Sequence, residues 1–265
     1  MKRPPVVMIH GAFCGGWAFA DFAGPFVQAG YAVHAPDLRH HDCGLRPPAA
    51  LGKTSLVDYA DDLEALIAGL GETPILVGHS LGGLLAQMLA ARGRARAAIL
   101  LAPSAPWGVL PTTLFEVASA QALYLAGDFW NRALEPHYAV AAANSLDKLG
   151  EEKRRAVYAR FVPESGLATF EIMNWALDVK RAAFVKPRDV VCPLLCIAGR
   201  EDKINPPSTV RAVAARYEGR ARFEELPGRS HWLIGEAGWE KLAASILVWL
   251  GNLRLEEAPA RGARA

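Results

Sequence analysis

ILVGHSLGG, residues 75–83, runs a short apolar stretch into Gly78-His79-Ser80-Leu81-Gly82-Gly83. In a glycine-rich turn after a buried strand, a serine ordinarily caps the helix that follows. Gly78-x-Ser80-x-Gly82 also supports a second reading. On a tight strand-to-helix turn the serine adopts strained backbone angles that push its Oγ out above the sheet. Larger side chains two residues to either side would collide, so glycine is needed there. The same turn puts the Leu81 N–H at a helix N-terminus, aimed at negative charge developing on a nearby oxygen. A histidine, an acid and a second backbone donor elsewhere in the chain decide between the two.

Working outward, short apolar runs alternate with helical patterns. VVMIH at 6–10 precedes an expected helix over 17–29, and YAVHAPD at 31–37 reads as a strand. SLVDYADDLEALIAGL at 55–70 has apolar positions at helical spacing, with Ser55 as N-cap and Gly71 at the exit. PILVGHS at 74–80 leads into the helix LGGLLAQMLAARG. AAILLAP at 97–103, PLLCIAG at 193–199 and ARFEELP at 221–227 are further strands, and a helix near 238–250 closes the pattern. Continuous apolar strands between helices predict a parallel sheet covered on both faces. Ligands of such a sheet meet the carboxyl ends of its strands.

Residues 104–187 break the rhythm. TLFEVASAQALYL, EEKRRAVYARF and LATFEIMNWALDV are helical patterns with aromatic residues, and no strand is evident. The expected organisation is a core of residues 1–103 and 188–255, a helical cap over 104–187, and a frayed polar tail at 256–265.

The 265 residues suffice for one α/β domain with an insertion. The formal net charge of +2 comes without a basic cluster, which argues against a nucleic-acid surface. No uncharged apolar run reaches 18 residues, so no membrane span is expected. The apolar part of the N-terminus is too short for a signal peptide, which points to a cytoplasmic protein. Cys14, Cys43, Cys192 and Cys196 form neither a zinc pattern nor a disulfide framework, and no metal site is expected.

A serine hydroxyl needs a base. Among seven histidines, His231 in PGRSHWLIGE follows the last strand, where a loop can bring an imidazole over the sheet. His79 reads as packed beneath the serine turn, and His40 and His41 as solvated loop residues. The base needs an orienting acid, and IAGREDKINPP offers Glu201 and Asp202 just after a strand. Asp202 is the favoured member, giving the chain order Ser80, Asp202, His231. The loop HGAFCGGWAF at 10–19 supplies the second donor: Gly11 lets the backbone approach, and the Ala12 N–H points inward beside that of Leu81.

HGAFCGGWAF, GHSLGG, GREDKINP and PGRSHW together resemble the α/β-hydrolases, closest to plant methylesterases, hydroxynitrile lyases and their bacterial relatives. The resemblance implies an α/β-hydrolase fold with a six-stranded, mainly parallel sheet. It also departs in places. APDLRHHDCG stands where many relatives have a glycine-rich loop, leaving His40, His41 and Asp42 without an assigned role beyond a pocket rim. The cap is longer and in places more basic than in the plant enzymes.

Residues and resemblance agree on a serine hydrolase of carboxylic esters that needs no cofactor and takes a small-molecule substrate. Lactones and certain carbon–carbon bonds yield to the same machinery, and some proteins of this fold serve as small-molecule receptors. Hydroxynitrile lyases carry a threonine and a lysine where this chain has Ala12 and Trp232. Epoxide hydrolases and haloalkane dehalogenases place a carboxylate where Ser80 stands. Phe13, Met173 and Trp175 are candidate pocket-wall residues favouring an apolar or aromatic ester. Phe13 could equally anchor its loop, and Met173 and Trp175 could form the buried face of a cap helix. Oligomeric state is not legible.

Overall fold

The computed structural model describes residues 3–253, so the tail expected at 256–265 lies outside the described residues. Its strands are β1 (Val6–Ile9), β2 (Val33–His34), β3 (Ile75–His79), β4 (Ala97–Leu101), β5 (Ala133–Leu134), β6 (Glu164–Ser165), β7 (Leu194–Gly199) and β8 (Ala221–Leu226). The helices are α1 (Gly24–Gln28), α2 (Leu56–Gly69), α3 (Leu81–Ala91), α4 (Leu114–Ala122), α5 (Tyr138–Asn144), α6 (Glu151–Tyr158), α7 (Gly166–Met173), α8 (Pro207–Ala215) and α9 (Trp239–Asn252).

Six strands form one sheet in the order β2-β1-β3-β4-β7-β8, and every pair in it is parallel. Strands alternate their side chains between faces, so each strand feeds two apolar layers. Val7, Ile9, Leu76, Ala98 and Leu100 pack with α2, α3 and α8 on one side. Val6, Met8, Ile75, Val77 and Ile99 pack with Phe19, Phe22, Phe26 and α9 on the other. Residues that would alternate with polar ones in a one-sided sheet are thus apolar throughout. This accounts for the unbroken hydrophobic runs.

From β1 the chain goes to β2 on one side, and β3 lies on the other, so the strand order reverses between β1 and β3. Ile9 pairs with Gly78, which brings the carboxyl ends of these two strands to one level. The crevice beyond such a reversal is where open α/β sheets bind ligands.

Local signals hold where capping chemistry is strong. The Ser55 Oγ accepts the Val57 N–H at 3.2 Å, and Asp58 returns the favour to the Ser55 N–H at 2.8 Å. Tyr59, Ala60, Leu63 and Ile67 form the buried stripe of α2, and Gly71 leaves it at φ +72°.

Other expectations need correction. The helix over 17–29 divides into a 3-10 turn at Gly16–Phe19 and the short α1, which restarts at Gly24-Pro25. Pro25 has no N–H to continue a ladder from the preceding turn. The strand at 31–37 shrinks to Val33–His34 on the sheet edge. The regular elements between β4 and β7 are chiefly helices, yet β5 and β6 form an antiparallel pair among them, Leu134 opposite Glu164. Among the described residues no helix is long and apolar enough to cross a membrane.

Candidate active site

Ser80 stands between β3 and α3 at φ +54° and ψ −118°, a left-handed conformation that an L-residue holds only under constraint. The constraint is visible in its backbone. Its N–H donates to the Leu101 carbonyl at 3.0 Å, and its carbonyl accepts from Gly83 at 2.9 Å, Leu84 at 3.3 Å and Ser104 at 2.9 Å. Gly82 has no room for a side chain, since a Cβ there would overlap the Ile9 carbonyl. The Ser80 side chain makes no capping hydrogen bond to α3. The helix-cap reading therefore fails.

β7 ends in a turn closed by the Asp202 N–H on the Gly199 carbonyl at 3.2 Å. The Glu201 N–H donates to the Arg229 carbonyl at 2.8 Å, tying this turn to the loop after β8. Across that junction the His231 Nδ1 lies 2.8 Å from Asp202 Oδ2. Asp202 Oδ1 accepts the N–H groups of Ile204 at 2.8 Å and Asn205 at 3.0 Å. The Asn205 amide in turn donates to the Ala102 carbonyl at 2.8 Å. With its carboxylate so held, Asp202 Oδ2 is placed to accept a hydrogen bond from His231 Nδ1–H. Glu201 is exposed and pairs with Lys148 instead. Asp202 and His231 are both buried.

His79 joins this site to the serine turn. Its Nε2 lies 2.8 Å from the His231 carbonyl and must donate to it, while Nδ1 has no partner. Burial, then the neighbouring His231, push its pKa down to about 3, so the ring is neutral. The sequence suggested packing alone; the donated hydrogen bond anchors the backbone of His231.

The loop after β1 approaches from the opposite side. A Cβ at Gly11 would stand 3.0 Å from His79 Nδ1 and 3.1 Å from Ser80 Cβ, tighter than ordinary packing, so glycine eases the close approach of this backbone. The Leu38 N–H donates to His10 Nε2 at 3.0 Å, leaving Nδ1 to donate to the Gly11 carbonyl at 2.8 Å. That carbonyl and the Ala12 N–H belong to one planar peptide and point in opposite directions. Leu81 begins α3, whose first N–H groups have no acceptor within the helix.

His41 departs furthest from expectation. It is buried, with Nε2 3.1 Å from Glu164 Oε2 and Nδ1 3.2 Å from the Arg39 carbonyl. Both partners are acceptors, so both ring nitrogens carry protons. Burial opposes the two charges, but the attraction and hydrogen bond between them raise the pKa of His41 and lower that of Glu164. His10 packs at 5.0 Å on this imidazolium; burial first, then the His41 charge, lower its pKa to about 4. Glu164 and His41 are 123 residues apart, and no local pattern announces their pairing.

Phe13 is half-buried at φ +64°, packed on the apolar cluster that contains Phe161 and Trp232. Met173 is the last residue of α7 and is exposed, while Trp175 stacks edge-on against Trp107 at 5.2 Å. Ala12, Trp107 and Ile172 pack against the cluster that holds Leu81. Two open surface clefts, one beside Asp37, His40 and Asp62 and one beside Arg92, Arg181 and Phe184, are lined by none of Ser80, Asp202 and His231. Among the described residues no group of three or more His, Cys, Asp or Glu is placed to hold a metal ion.

A carbendazim-hydrolysing esterase of Nocardioides sp. (strain SG-4G) is 31% identical over 177 residues, 63% of this chain and 71% of that protein. In fold the chain is similar to the Arabidopsis methylesterase MES16, with a TM-score of 0.72 at 17% identity, covering 95% of this chain and 100% of the other. A monoacylglycerol lipase of Paleococcus ferrophilus superposes with a TM-score of 0.67 at 23% identity, covering 94% of each chain. The family model described as "Alpha/beta hydrolase family" matches residues 6–245, and with the reversal of strand order and the serine turn at its crevice, the chain belongs to the α/β-hydrolase family.

Proposed function

We propose that this α/β-hydrolase cleaves a carboxylic ester of a small, apolar or aromatic substrate through an acyl-enzyme on Ser80. Family membership and the esterase among its relatives support ester hydrolysis. The observation that carries the reading is the His231–Asp202 hydrogen bond, with the second carboxylate oxygen locked by two N–H groups, tied through His79 to the turn that holds Ser80 at φ +54°. Asp202 keeps the proton on Nδ1, so Nε2 of His231 accepts the Ser80 proton as Oγ attacks the ester carbonyl. The N–H groups of Ala12 and Leu81 hold the oxyanion of the tetrahedral intermediate. His231 then protonates the departing alcohol and activates the water that releases the acid. These steps call on no cofactor.

We assign the segment between β4 and β7 to a cap, with Phe13, Met173 and Trp175 toward the substrate. The apolar surroundings of Ala12 and Leu81, with Trp107 and Ile172, support an apolar acyl or alcohol group. The test is stopped-flow hydrolysis of a short-chain p-nitrophenyl ester by the wild type and Ser80→Ala. Turnover that falls by at least about 10³ in the variant is the expected result. An inert wild type, or a variant of equal activity, overturns the assignment, and saturable binding without turnover would identify a receptor. A panel of lactones and acyl chains then fixes the substrate class.

A further inference from the structure

We propose that Glu164, paired with His41, is a positioning residue that holds the loop after β1 so that the Ala12 N–H faces the oxyanion. The inference rests on the proposed hydrolase reading and extends it to a side chain of the segment inserted between β4 and β7.

The connection runs through Phe13. Its N–H lies 3.4 Å from Glu164 Oε2, and its carbonyl accepts the Val162 N–H at 2.9 Å. Residues 162–164 thus grip both backbone groups of the residue that follows Ala12. Phe13 needs such a grip, because at φ +64° a non-glycine residue stays only where its surroundings fix it. The preceding peptide is held from the other side, where the Gly11 carbonyl accepts from His10 Nδ1 at 2.8 Å and from the Cys14 N–H at 3.3 Å. Ala12 is bracketed between two anchored peptides, and the direction of its N–H follows from both.

Glu164 has no freedom to do otherwise. Oε1 accepts from the Tyr59 hydroxyl at 2.8 Å and the Ser165 N–H at 2.6 Å, and Oε2 from His41 at 3.1 Å and Phe13. The carboxylate and the imidazole side chain are both 0% exposed. A buried ion pair is a costly way to gain stability, and well-packed apolar residues often do as well. What an apolar side chain could not do is accept the Phe13 N–H while binding the loop after β2 through His41 and α2 through Tyr59.

The experiment compares the wild type, Ser80→Ala, Glu164→Gln and Tyr59→Phe in kcat, KM and inhibition by a trifluoromethyl ketone. That inhibitor forms a tetrahedral adduct on serine and needs the oxyanion donors. Loss of a donor outright costs on the order of 10²–10³ in turnover, so its misdirection in Glu164→Gln should lower kcat by about 10–100-fold. KM should stay within about twofold, and the inhibition constant should rise by the same factor as kcat falls. An unchanged kcat in folded Glu164→Gln, or a fall in kcat without weaker ketone binding, overturns the proposal. If Glu164→Gln shows no cooperative melting transition, Tyr59→Phe decides, because it removes one hydrogen bond and keeps the ion pair. There a roughly 3–10-fold fall in kcat at constant KM supports the role, and wild-type kcat overturns it. The hydrolase reading is judged first and separately, on the wild type against Ser80→Ala; its failure removes this proposal too, whereas full activity in the Glu164 variant removes this proposal alone.

Discussion

Replacing Asp202 by asparagine should abolish turnover while leaving the fold nearly untouched. The two side chains have almost the same shape, so the outcome depends on which way the amide turns. Asp202 Oδ1 accepts two backbone N–H groups, from Ile204 at 2.8 Å and Asn205 at 3.0 Å. An NH₂ placed there would face two donors, so the amide carbonyl takes that position and the NH₂ faces His231. It then donates to Nδ1, and the imidazole proton moves to Nε2. A protonated Nε2 cannot accept the Ser80 proton, and the expected fall in kcat is about 10³–10⁴-fold. Stability should change little, because every hydrogen bond keeps a partner and only its charge assistance is lost. That amounts to roughly 1–2 kcal/mol, or a few degrees in Tm for a chain of this size. The assay pairs steady-state kcat on a p-nitrophenyl ester with calorimetric melting, and uses Glu201→Gln as control. Glu201 is exposed and paired with Lys148, so its variant should keep wild-type kcat. Asp202→Asn that retains a tenth or more of kcat refutes the tautomer reasoning. So does a large loss of Tm with activity preserved, which would mean that the amide had turned the other way.

Gly82→Ala should lose at least about 3 kcal/mol of stability, because its Cβ meets the Ile9 backbone, which cannot give way; a urea midpoint within error of wild type would contradict this. Glu171 of α7 accepts the Ser55 hydroxyl at 2.7 Å and the Leu56 N–H at 2.7 Å, yet burial pushes its pKa from 4.5 up to about 7. The folded state therefore binds more protons than the unfolded chain between these values, and unfolding free energy should fall by up to about 3 kcal/mol as pH rises from about 4.5 to above 7. Urea unfolding at intervals across that window should show the decline, and Glu171→Gln should flatten it; a decline of the same size in the variant would assign it to other groups.

Much of the core was legible because its signals are local or positional. Gly78, Ser80 and Gly82 lie within five residues, and the strand and helix that flank them have unbroken apolar patterns. Asp202 and His231 each follow a strand by a few residues, so topology alone brings them to one end of the sheet. The edge strand is shorter than expected because YAVHAPD contains Pro36, which has no N–H for a ladder, and only Val33 and His34 find partners on β1. β5 and β6 are two residues each, too short for any period to register. Phe19, Phe22 and Phe26 have helical spacing and share one apolar cluster, yet Pro25 interrupts the ladder that spacing implies. The burial of His41 escapes a reading of the sequence for a different reason. Its loop looks polar and solvated, and the acid that buries it arrives from more than a hundred residues away.

The polar contacts between the inserted segment and the sheet domain bear on how a substrate arrives. Ser165 donates to the Thr54 carbonyl at 2.6 Å, Glu171 binds the start of α2, and Glu164 sits among Tyr59, His41 and Phe13. Several of these groups are charged and buried, so swinging the segment outward would break them together and leave an ion pair half-separated. With the segment proposed as a cap, an outward swing of the whole segment carries that cost, whereas entry past individual side chains does not require it.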